Sequence, residues 1–277
     1  MTKRHRKFVG THVFLTALAV LTLYPIFFMI VNAMRSGLST ATAPFALPSH
    51  IRWINFVYAW DGIKSAFVLT GWIELVSVAA TLAIGVLAGY AFAKMEFWGK
   101  NALFLAIFAL LVIPGFLTLI PLFLEIRNFH LLNTSWGLIL PYIAGGQAFT
   151  IFVLRSFIQT IPEEMFEAAR IDGAGHWRMF LNFALPLSVP MLIALGLMQF
   201  VAIYGDYVFP SLVLSSSGMH TVSLAVANFT PPPMAPDINS TNIQLAAFTL
   251  ASIPIAILFF ALMKYFVNGM SSGALKM

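Results

Sequence analysis

The chain has no cysteine. Disulfides, thiolate nucleophiles and thiolate metal sites are therefore excluded. Charge is scarce as well: 9% of its 277 residues are Asp, Glu, Lys or Arg, against roughly 25% in a soluble domain. A G-x-x-x-x-G-K-[ST] phosphate loop is missing; Gly99-Lys100-Asn101 lacks both the first glycine and the hydroxyl. No two of the six histidines stand four apart, so there is no H-E-x-x-H metal site. Paired nucleophiles and bases, or His and carboxylate clusters inside apolar runs, are also lacking, which removes the grounds for an intramembrane enzyme. Low charge together with high hydrophobicity excludes intrinsic disorder.

What is abundant is apolar surface. Hydrophobic residues make up 60% of the chain and the mean hydropathy is +0.90. A spanning helix needs about 20 mostly apolar residues. Runs at 8–34, 101–124, 136–154, 179–205 and 238–263 meet that length without an Asp, Glu, Lys or Arg, and 65–93 is interrupted only by Glu74. The pattern predicts an all-α integral membrane protein with six transmembrane helices in a single domain over 1–277. The first run follows Lys3-Arg4-His5-Arg6-Lys7 like a secretory signal, but a signal core is only about 7–15 residues. The run is expected to stay as a span.

Orientation follows from Lys and Arg. With the N-terminus inside, the inner segments hold Lys3, Arg4, Arg6, Lys7, Lys94, Lys100, Arg155, Arg170, Arg178, Lys264 and Lys276. The outer ones hold Arg35, Arg52, Lys64 and Arg127. Both termini are expected in the cytoplasm, and the net charge of +5 reports topology rather than nucleic-acid binding. The outer loop 35–64 is rich in aromatics, which suit the membrane interface or an outer partner. The outer loop 206–242 is expected to be polar and turn-rich, with Ser215-Ser216-Ser217-Gly218 and Pro231-Pro232-Pro233.

Within the runs, Gly85-x-x-x-Gly89 permits close helix approach. Pro114 and Pro121 in the third run, and Pro186 and Pro190 in the fifth, predict kinks. Glu74 is either a functional carboxyl inside the membrane or a headgroup-level residue.

The inner loop 160–186 is unlike the rest. Thr160-x-x-Glu163 reads as a capping box with Pro162 in the first helical turn. Glu163 and Glu164 suit the helix dipole, and Gly173 reads as the glycine that ends the helix. Met165, Phe166, Ala169 and Trp177 are expected to offer an apolar surface flanked by charge, suited to a groove on another protein. A helix lying on anionic lipid would carry Lys and Arg on its polar face instead.

At this loop the sequence resembles a family. Glu167-Ala168-Ala169-x-x-x-Gly173, nine residues, then Phe183-x-Leu185-Pro186 resembles the EAA signature of ABC importer permeases, with Phe183 where the family usually has isoleucine. Tyr90-Ala91-Phe92-Ala93-Lys94, Ile161-Pro162-Glu163-Glu164 and the tail Lys264–Lys276 are similar to MalG-type carbohydrate permeases. The resemblance covers essentially the whole chain. It implies the type I importer permease fold and import of a sugar by alternating access. It also implies a second, MalF-like permease, two ATP-binding cassette subunits that bind ATP and Mg, and an extracytoplasmic solute-binding protein. No cofactor is implied in this chain itself. The ATPase-coupling residues it implies are Glu163, Glu164, Met165, Phe166, Glu167, Ala168, Ala169, Asp172 and Gly173.

Late in the fifth run the chain reads Tyr204-Gly205-Asp206-Tyr207, where related permeases often have tryptophan-asparagine-aspartate-aromatic. Tyr204, Asp206, Tyr207 and Gln199, with Asn182 weaker, are candidate substrate-path residues. Oligosaccharides, polyols and glycerol phosphates all use permeases of this appearance. A phosphorylated solute would want arginine in the path, and the later runs have none at their centres. The competing reading is a stand-alone secondary transporter, which would need ion-coupling charges and repeated halves.

Overall fold

The computed structural model describes residues 3–230 and 240–274. The expected Pro231–Pro233 turn, the first two residues of the sixth run (238–239) and the end of the tail (275–277) lie outside them. Every regular element among the described residues is helical. Among the described residues, five helices are long and apolar enough to cross a membrane, or six if a bent pair is counted as one span.

The chain forms two compact units. One comprises residues 1–64 and 225–253. It holds α1 (Lys3–Ala33) and α2 (Gly37–Thr42), the start of α3 (Ile54–Lys94) and the start of α12 (Ser240–Ala274). The spanning part of α1, Gly10–Ala33, buries nothing inside the chain over its most apolar window. The turn after it is organised by Arg35, which is 2% exposed. Its guanidinium donates to Asn32 Oδ1 at 3.0 Å, to the Pro44 carbonyl at 3.1 Å, to the Ala43 carbonyl at 2.7 Å and to the Ser39 carbonyl. Asn55 Nδ2 donates to the Ala33 and Arg35 carbonyls at 2.8 and 2.9 Å. A buried cation is tolerable here because backbone dipoles take the place of water.

The other unit comprises residues 65–224 and 254–277. It contains the rest of α3, α4 (Lys100–Leu110), α5 (Gly115–Asn128), α6 (Trp136–Gln159), α7 (Glu163–Ile171), α8 (His176–Met179), α9 (Leu185–Gly205), α10 (Val208–Val213), the first half of α11 (Val222–Ala227) and the rest of α12. Two buried clusters order it. One joins Val86, Tyr90, Leu154, Ile158, Phe166, Met179 and Phe180 at the loop end. The other joins Ile73, Ile126, Leu138, Ile203, Phe209, Val213 and Leu224 at the opposite end.

Three expectations change. The third run is not one helix: α4 and α5 are bent by 96°. Ile113 precedes Pro114, and the proline ring disfavours the α conformation there; Pro114 is extended and caps α5 (φ −63°, ψ 124°). The helix of the second run, α3, is 41 residues long and reaches back into the expected outer loop. The loop after α9 is less polar than expected, because Phe209, Val213, Leu214 and Val222 fold inward and are buried. Between α8 and α9, residues Phe180–Ala184 form a π-helical turn just before Pro186, whose missing N–H removes one helical bond.

Candidate functional site

Residues 160–186 form the first candidate site. The expected capping box is absent. Thr160 ends α6 in a helical conformation, and its hydroxyl donates to the Phe157 carbonyl at 2.7 Å. Pro162 is the N-cap of α7 rather than part of its first turn, and no side chain caps the helix. The hydroxyl is captured by the preceding helix, a local alternative that threonine readily takes. Glu163 is thereby free to reach elsewhere. At the other end Gly173 has φ +75°. Its N–H donates to the Arg170 carbonyl at 3.0 Å, and that of Ala174 to the Ala169 carbonyl at 2.9 Å. This pair of bonds is a Schellman closure, and the left-handed residue between them suits glycine.

The two faces of α7 differ from the sequence expectation. Phe166 is fully buried and Ala169 nearly so. They face Ile158, Ile161, Met179 and Phe180 in the chain's own core, so they are not part of an outward docking surface. A nine-residue helix is marginal alone, and this apolar pair is what seats it. The outward face carries Glu164, Met165, Glu167 and Ala168, with Asp172 and Gly173 exposed at its end. Ile171 and Trp177 join them, 87% and 64% exposed. Ile171 escaped the sequence reading, although a large apolar side chain one residue before Asp172-Gly173 was the available signal.

Glu163 is held by two cations. Lys94 Nζ donates to its Oε2 at 2.8 Å, and Arg170 donates to its Oε1. The Lys94 hydrogen bond holds the carboxyl below its ordinary value; partial burial opposes this and Arg170 adds to the lowering. A depressed carboxylate contributes stability that is present above the unfolded value and is lost as pH falls through the folded one. Hydrogen-exchange rates in α7, each divided by the intrinsic amide rate at that pH, are therefore expected to stay constant from about pH 8 to about pH 5 and to quicken only below that. The quickening should be largely missing in Glu163→Gln, and an identical acid response in that variant would assign it elsewhere.

The second candidate site is a cavity of about 550 Å³ between α6 and α9. Tyr142, Gly145, Gly146, Gln199 and Asp206 line it among apolar neighbours. Tyr142 Oη donates to Asp206 Oδ2 at 2.8 Å, and the Phe209 N–H to Asp206 Oδ1 at 3.3 Å. Gln199 Nε2 donates to Thr81 Oγ1 at 2.9 Å and to the Tyr142 carbonyl at 3.4 Å. The cavity offers a phenol, an amide and a carboxylate for hydroxyl groups.

The structure thus brings Gln199 and Asp206 to one wall and leaves Tyr204 and Tyr207 off it. Tyr204 is buried against Phe200, with ring centroids 5.7 Å apart. Tyr207 is 41% exposed and precedes α10. Asn182 lies in the π-helical turn. Tyr142 was missed; its signal was a tyrosine three and four residues before Gly145-Gly146 in a mostly apolar run. Glu74 is 4% exposed and lines a separate, largely apolar cavity of about 520 Å³ between α3, α9 and α12.

Residues 81–272 match the family described as binding-protein-dependent transport system inner membrane component. The chain is 29% identical over 274 residues to the diacetylchitobiose uptake system permease protein NgcG of Streptomyces coelicolor, covering 98% of this chain and 90% of that one. It is 31% identical over 276 residues to the maltodextrin transport system permease protein MalD of Streptococcus pneumoniae, covering 95% and 93%. A solved bacterial ABC transporter involved in import of the acidic polysaccharide alginate superposes with a TM-score of 0.83 at 21% identity, covering 96% of this chain and 99% of that one.

Proposed function

The chain belongs to the family of inner membrane components of binding-protein-dependent transport systems, and from that premise we propose that it carries a di- or oligosaccharide through an ATP-driven importer. The chain is a multi-pass membrane permease of the ABC importer type, with an all-α permease fold, and it is not an enzyme. In our reading the whole length acts as one permease domain that pairs with a second, MalF-like permease. Two ATP-binding cassette subunits below it bind ATP and Mg, and an extracytoplasmic binding protein delivers the solute. Both termini lie in the cytoplasm, supported by the excess of Lys and Arg on the inner segments.

The observation that carries the mechanism is α7. It is an amphipathic helix seated on the permease by Phe166 and Ala169, with an acidic and apolar outer face left open. Such a helix docks in a groove of a partner. Closure of the ATPase subunits moves α7, and the spans exchange outward- and inward-open states, which the solute must bind differently. The α6–α9 cavity is our candidate path, with Gln199 and Asp206 as polar contacts. Among the described residues no Lys or Arg lines it, which favours a neutral sugar over a phosphorylated one.

The test is purification of the tagged chain from its host in mild detergent, with mass spectrometry of what accompanies it. A second six-span permease and an ATP-binding subunit in a ratio of about 1:1:2 is the expected result, as an alternating-access pair needs both halves. The associated binding protein is then screened against neutral oligosaccharides. A chain that purifies alone and moves solute without ATP would instead be a secondary transporter.

A further inference from the structure

The loop that carries α7 and α8 is gripped from one place. Tyr90 and Lys94 stand four residues apart in the last turn of α3, on one face of the helix. Lys94 holds the α7 limb. Its Nζ donates to Glu163 Oε2 at 2.8 Å and to the Ile161 carbonyl at 3.1 Å, and lies 4.3 Å from the centre of the Phe166 ring. Tyr90 holds the α8 limb. Its Oη donates to the His176 carbonyl at 3.2 Å, and its ring meets Phe180 at 5.4 Å.

Both side chains are enclosed. Tyr90 is 4% exposed, and the Lys94 side chain 6%. Moving α7 without α3 would strip a buried ammonium of its carboxylate, its carbonyl and its aromatic face at once. Carrying the end of α3 along avoids that loss.

Further partners of α3 lie farther up the same helix, which has no internal proline. Thr81, about 20 Å from Lys94 at the α-helical rise, accepts the Gln199 amide at 2.9 Å in the wall of the α6–α9 cavity. Its carbonyl also accepts from Gln147 Nε2 at 3.5 Å. One uninterrupted helix therefore touches the loop at one end and the cavity wall at mid-length.

We propose that Tyr90 and Lys94 are positioning residues, a two-point clamp that delivers displacement of the α7–α8 loop to α3 and through Thr81 to the cavity. The clamp rests on the reading of that loop as the ATPase-coupling element.

The test uses the complete importer reconstituted in vesicles with its binding protein and solute. Two quantities are read: ATPase subunits retained per permease, and solute moved per ATP hydrolysed. In Tyr90→Phe combined with Lys94→Met, the subunits stay at the wild-type ratio while solute per ATP falls about tenfold, within the usual range of inter-site coupling. Lys94→Arg keeps most of the yield. The exchange of Lys94→Glu with Glu163→Lys recovers part of what Lys94→Glu alone loses, as a direct Lys94–Glu163 pair requires.

Unchanged solute per ATP in the double variant overturns the clamp. So does loss of the ATPase subunits from it, since that would make the clamp a docking support. Tyr90→Phe, which removes a single oxygen, is read alone if the double variant does not accumulate. Glu167→Arg separates the two claims: full coupling in that variant overturns the coupling-loop reading itself. Impaired coupling there beside an unaffected clamp variant overturns only the clamp.

Discussion

Phe166→Ala is expected to abolish solute uptake. Phe166 is the largest fully buried side chain among the described residues, and α7 is only nine residues long. A helix of that length has little stability of its own. Its attachment comes from Phe166 against Ile158, Ile161 and Met179, with Phe183 edge-on at 6.4 Å between ring centroids. Truncating a buried phenylalanine to alanine costs about 3–5 kcal/mol, more than the other contacts of α7 are expected to supply. The Lys94–Glu163 pair leaves its carboxylate half exposed, so it tethers α7 without replacing that buried apolar seat. The variant should still insert, because the spans do not depend on this ring. Proteolysis in the 160–176 segment should accelerate and uptake should fall to background. Met165→Ala, at a side chain 37% exposed, should leave proteolysis unchanged. Wild-type uptake and protease resistance in Phe166→Ala would show that α7 is seated by something else.

The second large effect concerns Gly89. A Cβ placed there would lie 2.9 Å from Leu154 Cβ and 3.2 Å from the Arg155 backbone nitrogen. Gly85, one turn earlier, faces the Thr150 side chain in the same way. At these two glycines α3 passes close to α6, the close approach that small residues permit between helices in lipid. Backbone cannot yield as a flexible side chain can, so Gly89→Leu forces the helices apart. Overpacking costs typically about 1–3 kcal/mol, and here the strain falls beside Arg155, whose guanidinium covers the Phe104 ring at 3.9 Å. The expected result is loss of most folded protein from the membrane, with a lower melting temperature of what remains in detergent. Gly71→Ala on the same helix serves as the control, because a Cβ there meets open space and alanine is the better helix former. Equal stability of Gly71→Ala and Gly89→Leu would mean that the two helices are not in tight contact.

Some features of this protein were decided locally and were open to sequence reasoning. The apolar runs set the spans, because an uninterrupted stretch of that length has no soluble alternative. The EAA spacing marked the α7 loop, and Gly173 marked the end of α7, because a left-handed position favours glycine in any context. Other features depended on what each side chain met in space. The apolar residues of α7 could be identified from their types, but not divided between an inner and an outer face. Phe166 and Ala169 turn inward because α6 and α8 place Ile158 and Met179 beneath them, while Met165 and Ile171 are left outside. Thr160 and Glu163 had the spacing of a capping box, and tertiary contacts gave each another partner. Asp206 and Gln199 share a cavity with Tyr142 of α6, 57 or more residues away in sequence, and no local pattern connects them. The apolar runs, the C-terminal end of α7 and the place of the α7 loop were thus determined by the sequence through short-range chemistry. The choice of face, the grip of Lys94 and the cavity wall were decided by tertiary packing, since a side chain's partner is whatever the fold brings within reach.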